Sequence, residues 1–156
     1  MLRLAMNGDD LASATLDELE RIYRETSAPL AVPRGRFRGR HLAWLRSTGN
    51  PVWLGPALWL AFSRIPFGVD FDHRRWFFLH HAARIGHFLP DIGPSRWRDT
   101  QAIRLHYHPS RLPGTIRSLL YDEVKPLTES LCLGIGGINA PRARGEQFFF
   151  ALERVG

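Results

Sequence analysis

Arg117 and Tyr121 lie four residues apart and are the strongest candidates in this sequence for holding a ligand. They fall within a strand predicted over residues 115–124, where alternation places both side chains on one face. A permanent guanidinium charge beside a phenolic donor suits a carboxylate or a polarised carbonyl at the wall of an apolar cavity. The opposite face of this strand is also apolar. An Arg117 that faces solvent and a Tyr121 that caps the core is therefore an equally open interpretation.

Arg104 and His106 form a second candidate pair, on the polar face of a strand predicted over residues 101–107. The imidazole of His106 or the phenol of Tyr121 can act as acid or base, while an arginine stabilises an enolate or an oxyanion. An enzyme of the isomerase or cyclase type is therefore an alternative to simple binding. The sequence does not decide whether any reaction is catalysed.

Seven histidines raise the question of a bound metal or haem. His80 and His81 are adjacent and would point to opposite faces of a strand. His106 and His108 share a face, but the positive charge of Arg104 on that face opposes a cation. No acidic residue stands beside them to complete a set of three ligands, so we predict no metal site. No cofactor is predicted, but haem stays an open alternative: the Phe- and Trp-rich chain could offer it an apolar slot and an axial histidine, although the chain contains no attachment pattern.

Four arginines alternate near the start of the chain: Arg34, Arg36, Arg38 and Arg40. On a strand their guanidinium groups would share one face and form a ladder suited to phosphates, which makes a nucleic-acid-binding module a third candidate function. Sites for single-stranded nucleic acid usually add aromatic rings for stacking, and Phe37 alone interleaves here. The preferred interpretation is a solvated strand face, and nucleic acid is a disfavoured partner.

The composition is that of an ordinary globular protein with a basic surface. The 156 residues carry a formal charge of +6 and are 44% hydrophobic and 12% aromatic, which provides enough apolar surface to exclude a disordered chain. Lys125 is the only lysine, and such an excess of arginine is typical of GC-rich coding sequences. The positive charge by itself is therefore weak support for a polyanionic partner.

Cysteine content and hydropathy predict a cytoplasmic protein without a membrane span. Cys132 is the only cysteine and lies between Leu131 and Leu133, which excludes an intrachain disulfide and predicts an inert, buried thiol. Residues 1–10 contain no signal-peptide core of about 7–15 apolar residues. The charge-free stretch 47–63 is interrupted by Pro51 and Pro56, and falls short of the roughly 18 apolar residues that a spanning helix needs.

One helix and a succession of short strands are predicted along the chain. Thr15 and Glu18 form a capping box that opens an amphipathic helix over about residues 15–26. Strands are predicted over residues 37–45, 76–83, 101–107, 115–124, 131–138 and 147–154. Prolines and glycines separate the later strands, which favours an antiparallel meander over βαβ units. Residues 51–67 are the hardest to place, and a second short helix is preferred there over a strand and a loop.

The last third of the chain resembles small bacterial barrel domains. The segments Tyr121-Asp122-Glu123-Val124-Lys125-Pro126, Leu133-Gly134-Ile135 and Phe149-Phe150-Ala151-Leu152-Glu153-Arg154 are similar to the turn and closing strands of lipocalin-like domains of the GXWXG-associated kind. The GXWXG signature itself is replaced by Gly35-Arg36-Phe37-Arg38-Gly39, and the turn is one residue longer than in that family. The resemblance implies a calycin-like barrel with an apolar cavity and transfers no catalytic residue.

The sequence therefore predicts a single, mainly β domain over residues 1–156. Its body, about residues 34–156, is an antiparallel calycin-like barrel or strongly curved sheet, against which the N-terminal helix and the second short helix pack. A small barrel holds one ligand when its lining is not fully packed. The favoured function is binding of a lipophilic small molecule with an anionic or carbonyl end, anchored by Arg117 and Tyr121, with Arg104 and His106 as second candidates.

Overall fold

The computed structural model describes residues 6–45, 64–78, 84–115, 120–138 and 145–156. In these ranges two helices precede nine strands: α1 (Gly8–Ser13), α2 (Leu16–Glu25), β1 (Arg36–Trp44), β2 (Phe67–Asp70), β3 (Arg75–Phe78), β4 (Arg84–His87), β5 (Leu89–Pro94), β6 (Gln101–His106), β7 (Leu120–Pro126), β8 (Leu131–Ile138) and β9 (Glu146–Arg154). The fold is mainly β, as the sequence predicts.

The nine strands form one antiparallel sheet in the order β4-β3-β2-β1-β9-β8-β7-β6-β5. Its two edge strands are consecutive in the chain, because Phe88 alone separates His87 at the end of β4 from Leu89 at the start of β5. This bent segment pairs with β3 through its first half and with β6 through its second half. The sheet is therefore a nearly closed barrel, and neighbouring strands follow one another along the chain except where β9 pairs with β1.

Aromatic rings fill the inner face of this barrel. The buried cluster there includes Phe37, Phe67, Phe71, Trp76, Phe88, Tyr107, Phe148 and Phe150, together with aliphatic residues from β2, β6, β7 and β9. Edge-on ring contacts connect neighbours within it, such as Trp76 and Phe150, whose centroids lie 5.6 Å apart. The described inner face is thus packed by side chains rather than lined around a wide empty lumen.

The two helices cover part of the outer face. Asn7 with Asp10 and Thr15 with Glu18 form the capping boxes that begin α1 and α2. Leu19 and Tyr23 of α2 are buried against outward-facing residues of β8 and β9, among them Leu133 and Phe149. The sheet consequently has two buried faces, one inside the barrel and one beneath the helices.

The sequence-predicted elements agree well with the structure where the pattern alternates. The predicted helix 15–26 and the strands 101–107, 131–138 and 147–154 correspond to α2, β6, β8 and β9. Of the predicted strand 76–83, residues 79–83 lie outside the described residues, as do 116–119 of the strand 115–124 and 51–63 of the proposed second helix. Cys132 is buried, as predicted, with 1% of its surface exposed. None of the described helices is long and apolar enough to cross a membrane.

Candidate functional site

Three of the four predicted site residues come together on the outer face of the barrel. Strand register places Arg104 opposite Glu123 and His106 opposite Tyr121. The rings of His106 and Tyr121 have centroids 6.0 Å apart. The fourth residue, Arg117, lies outside the described residues.

The guanidinium of Arg104 is engaged by a neighbouring carboxylate. Arg104 Nε and Nη2 donate to the two oxygens of Asp91 on β5, at 2.9 and 2.5 Å, and His106 Nε2 lies 3.0 Å from Asp91 Oδ1. The hydrogen bond from Arg104 holds the pKa of the Asp91 carboxyl below its usual range. A bidentate pair of this kind satisfies both charges, so Arg104 is a poor receptor for a second anion.

Tyr121 is hydrogen-bonded to a buried carboxylate beneath α2. It is 2% exposed, and its hydroxyl donates to Glu123 Oε2 at 2.9 Å. Glu123, with no exposed surface, also accepts from Tyr23 Oη at 2.8 Å, from the backbone N–H of Arg96 at 3.1 Å and from Ser95 Oγ. Burial raises the pKa of the Tyr121 hydroxyl well above its usual value. Tyr121 lies on the helix-covered face, away from the barrel interior, and its predicted role in binding or acid/base chemistry stays a prediction.

A pocket of about 520 Å³ lies at the seam of the barrel, where β4 runs beside the segment that follows β6. Arg75 of β3 and Gly86 and His87 of β4 form one wall, and residues 109–112 form the other. We call this the seam pocket. No sequence signal marks the seam pocket, because its walls come from three separate segments of the chain and none of them carries a motif.

The seam pocket is positively charged. Arg75 and His87 belong to one wall and Arg111 to the other, and no acidic side chain of the described residues lines the pocket. Asp70 stands opposite Arg75 in the strand register, but its carboxylate binds His73 Nδ1 at 2.7 Å and Arg36 Nε at 3.5 Å. In the described part of the chain, neither Arg75 nor Arg111 forms an ion pair.

The wall of the seam pocket is backed by aromatic residues of the interior. Gly86 has a φ of +85°, which glycine adopts without strain. A Cβ atom at Gly86 would lie 3.7 Å from Trp76 and from the ring of Tyr107, so little more than backbone separates the pocket from the core. The segment 109–112 is tied to Tyr107, whose carbonyl accepts from the N–H of Ser110 at 2.9 Å.

At another point of the inner face, two ring nitrogens are buried without a hydrogen-bond partner among the described residues. His41 Nε2 and Trp44 Nε1 belong to rings stacked with centroids 4.7 Å apart. Burial lowers the pKa of His41, which keeps its imidazole neutral near pH 7. Within the described residues, no group of three or more His, Cys, Asp or Glu side chains could hold a metal ion.

Comparison with known proteins does not assign this chain to a family. No family model matches the chain, and no curated protein matches it. A crystal structure of a protein from Thermomonospora curvata is similar, with a TM-score of 0.49 and 15% sequence identity over 92% of this chain and 89% of that one. The resemblance to GXWXG-associated domains therefore stays a prediction.

Proposed function

We propose that this protein binds a small anionic molecule with an apolar body, and that the seam pocket holds the anionic end. The observation that carries the proposal is the pair Arg75 and Arg111, which face the pocket from opposite walls with no described acid between them. Two guanidinium groups in one concave site repel each other, and a bound carboxylate or phosphate would relieve that repulsion while accepting their hydrogen bonds.

The size and lining of the pocket support a ligand of modest size. Its volume of about 520 Å³ falls within the roughly 300–1,000 Å³ of small-molecule sites. Pro109 and Leu112 give the second wall apolar surface, which suits an alkyl or ring portion of the ligand. The class of ligand is the one that the sequence favours, a lipophilic molecule with an anionic end. The anchors now proposed are Arg75 and Arg111, because Arg104 and Tyr121 are occupied by Asp91 and Glu123.

Isothermal titration calorimetry with octanoate and its uncharged analogue 1-octanol tests this proposal. Octanoate should bind the wild type more tightly than octanol. Arg75→Gln and Arg111→Gln should each weaken octanoate binding about tenfold or more, the scale of a lost hydrogen bond to a charged group, and change octanol binding little. Arg21→Gln, on the exposed surface of α2, is the control with the same change in net charge.

Two outcomes would contradict the proposal. One is equal affinity of the wild type for octanoate and octanol, since the pocket would then not recognise charge. The other is equal weakening of octanoate binding by Arg21→Gln and by the two pocket variants, because net charge alone would then explain the effect.

A further inference from the structure

The outer face of β2, β3 and the first half of β1 borders the part of the sheet that α1 and α2 cover. Alternation along β1 turns Phe37 inward, with no exposed surface, and turns Arg36, Arg38 and Arg40 outward, where all three are exposed. On β3 Arg75 is also outward and exposed. We call this surface the β1–β3 face.

A half-buried aromatic ring lies in the middle of the β1–β3 face. Register places Arg38 opposite Gly68 on β2, and Gly68 opposite Phe77 on β3. The ring of Phe77 lies over the backbone of Gly68, where a Cβ atom would overlap it. A glycine is therefore required beneath Phe77, whose ring lies over Gly68 on the outer face, in the same cross-strand row as Arg38. The sequence pattern pointed to Phe37 as the interleaved aromatic, but the outward-facing ring is that of Phe77.

Positive charge on the β1–β3 face exceeds the negative charge that pairs with it. Arg36 lies 3.5 Å from the buried carboxylate of Asp70, and Arg40 lies 2.7 Å from Asp9 of α1. No ion pair within the described ranges involves Arg34 or Arg38. The face therefore retains uncompensated guanidinium groups around an accessible ring.

We propose that the β1–β3 face binds single-stranded nucleic acid, with a base stacked on Phe77 and phosphates held by Arg38 and Arg36. Proteins that bind single strands combine positive charge along the backbone with aromatic rings on which bases stack. Outward residues two apart on a strand lie about 7 Å apart, so these arginines can track successive phosphates of an extended strand. A duplex is a poorer fit, because its stacked bases are closed to Phe77 and this flat face offers no helix for the major groove.

Fluorescence anisotropy with a labelled 15-nucleotide oligo(dT) tests the inference over 20–200 mM NaCl. Phe77→Leu keeps an apolar side chain over Gly68 but removes the ring, and should weaken binding about tenfold at every salt concentration. Arg38→Gln should weaken binding at low salt and reduce the slope of log K against log salt by about 0.7. Arg21→Gln on α2 removes the same charge elsewhere and should leave both affinity and slope close to the wild-type values.

An abasic 15-mer of the same charge keeps the test independent of whether Phe77→Leu folds. The wild type should bind oligo(dT) about tenfold more tightly than the abasic strand, because stacking is lost with the bases. Equal binding of the two strands would overturn the inference and leave a surface that attracts polyanions in general. No binding of either at 20 mM NaCl, or an equal effect of Arg21→Gln and Arg38→Gln, would overturn it as well. None of these results bears on octanoate binding, which depends on Arg75 and Arg111.

Discussion

The hydroxyl of Tyr107 donates a hydrogen bond to Asp122 Oδ2 on the inner face of the barrel, joining the residue after β6 to the beginning of β7. Tyr107 is 4% exposed, and its ring borders Gly86 of the seam pocket. Burial raises the pKa of the Asp122 carboxyl to about 7, so this group changes charge near neutral pH. The protonation of Asp122 is therefore coupled to Tyr107, whose ring contacts both the core and the wall of the seam pocket.

Asp122→Asn should flatten the dependence of stability on pH. Because the folded protein holds the Asp122 proton more tightly than the unfolded chain, whose pKa is near 3.8, the wild type should lose free energy of unfolding as pH rises from about 5 to 7. The slope from one such group is at most about 1.4 kcal/mol per pH unit. Urea denaturation of both proteins at pH 5, 6, 7 and 8 measures the difference between them, from which the titration of His41 cancels. A difference that is constant over this range would contradict the raised pKa.

Strands with an alternating hydrophobic pattern are predictable from this sequence, and strands without one are not. The strand β6 was predicted because Ile103 and Leu105 alternate with Arg104 and His106, and the structure buries the first pair while leaving the second pair half-buried. The strand β2 was missed because all four of its residues are buried, so no alternation marks it. The strands β4 and β5 were missed because Gly86, Pro90 and Pro94 are typical of turns. The segments β2, β4 and β5 are strands because they pair with neighbouring strands in the nearly closed sheet, and no local sequence pattern encodes that pairing.

The same limit applies to the candidate sites. Alternation correctly indicated that Arg104 and His106 share a face, but it gave no sign of Asp91, which lies on the unpredicted strand β5 and neutralises Arg104. The seam pocket depends on Arg75 and Arg111, which are 36 residues apart in the sequence and line the same pocket only because the sheet nearly closes into a barrel. Such a site is visible only in three dimensions.

Tyr23→Phe should lower the free energy of unfolding by about 1–3 kcal/mol, because the buried Glu123 carboxylate loses a hydrogen-bond donor that holds α2 to β7. Chemical denaturation measures this directly. In a Glu123→Gln background the same change should cost less, since an amide requires less solvation than a carboxylate. An equal cost in both backgrounds would show that the Tyr23 hydroxyl contributes independently of the charge on Glu123.

Cys132 should react slowly with a thiol reagent in the native protein and rapidly in denaturant. Its side chain is 1% exposed on the inner face of β8, and burial raises its pKa to about 12, so almost no thiolate is present at pH 8. An aromatic disulfide that releases a coloured thiolate on reaction with a thiol, followed with and without urea, gives both rates. Native labelling as fast as in urea would place the thiol at the surface.

Lys125 offers the clearest test of how the N-terminal helices dock, because it is the chain's only lysine and its side-chain amine can be followed alone. It has no exposed surface, and its Nζ donates to the backbone oxygen of Thr26, the C-cap of α2, at 2.5 Å and to Thr100 Oγ1 at 2.6 Å. Burial also lowers its pKa.

An amine-reactive ester should therefore modify the N-terminus quickly and Lys125 only when α2 detaches, and peptide mass spectrometry separates the two products. Thr100→Val removes one acceptor without exposing the amine, so it should speed modification of Lys125 modestly. Modification of Lys125 at the rate of the N-terminus in the native protein would contradict this docking of α2 onto β7.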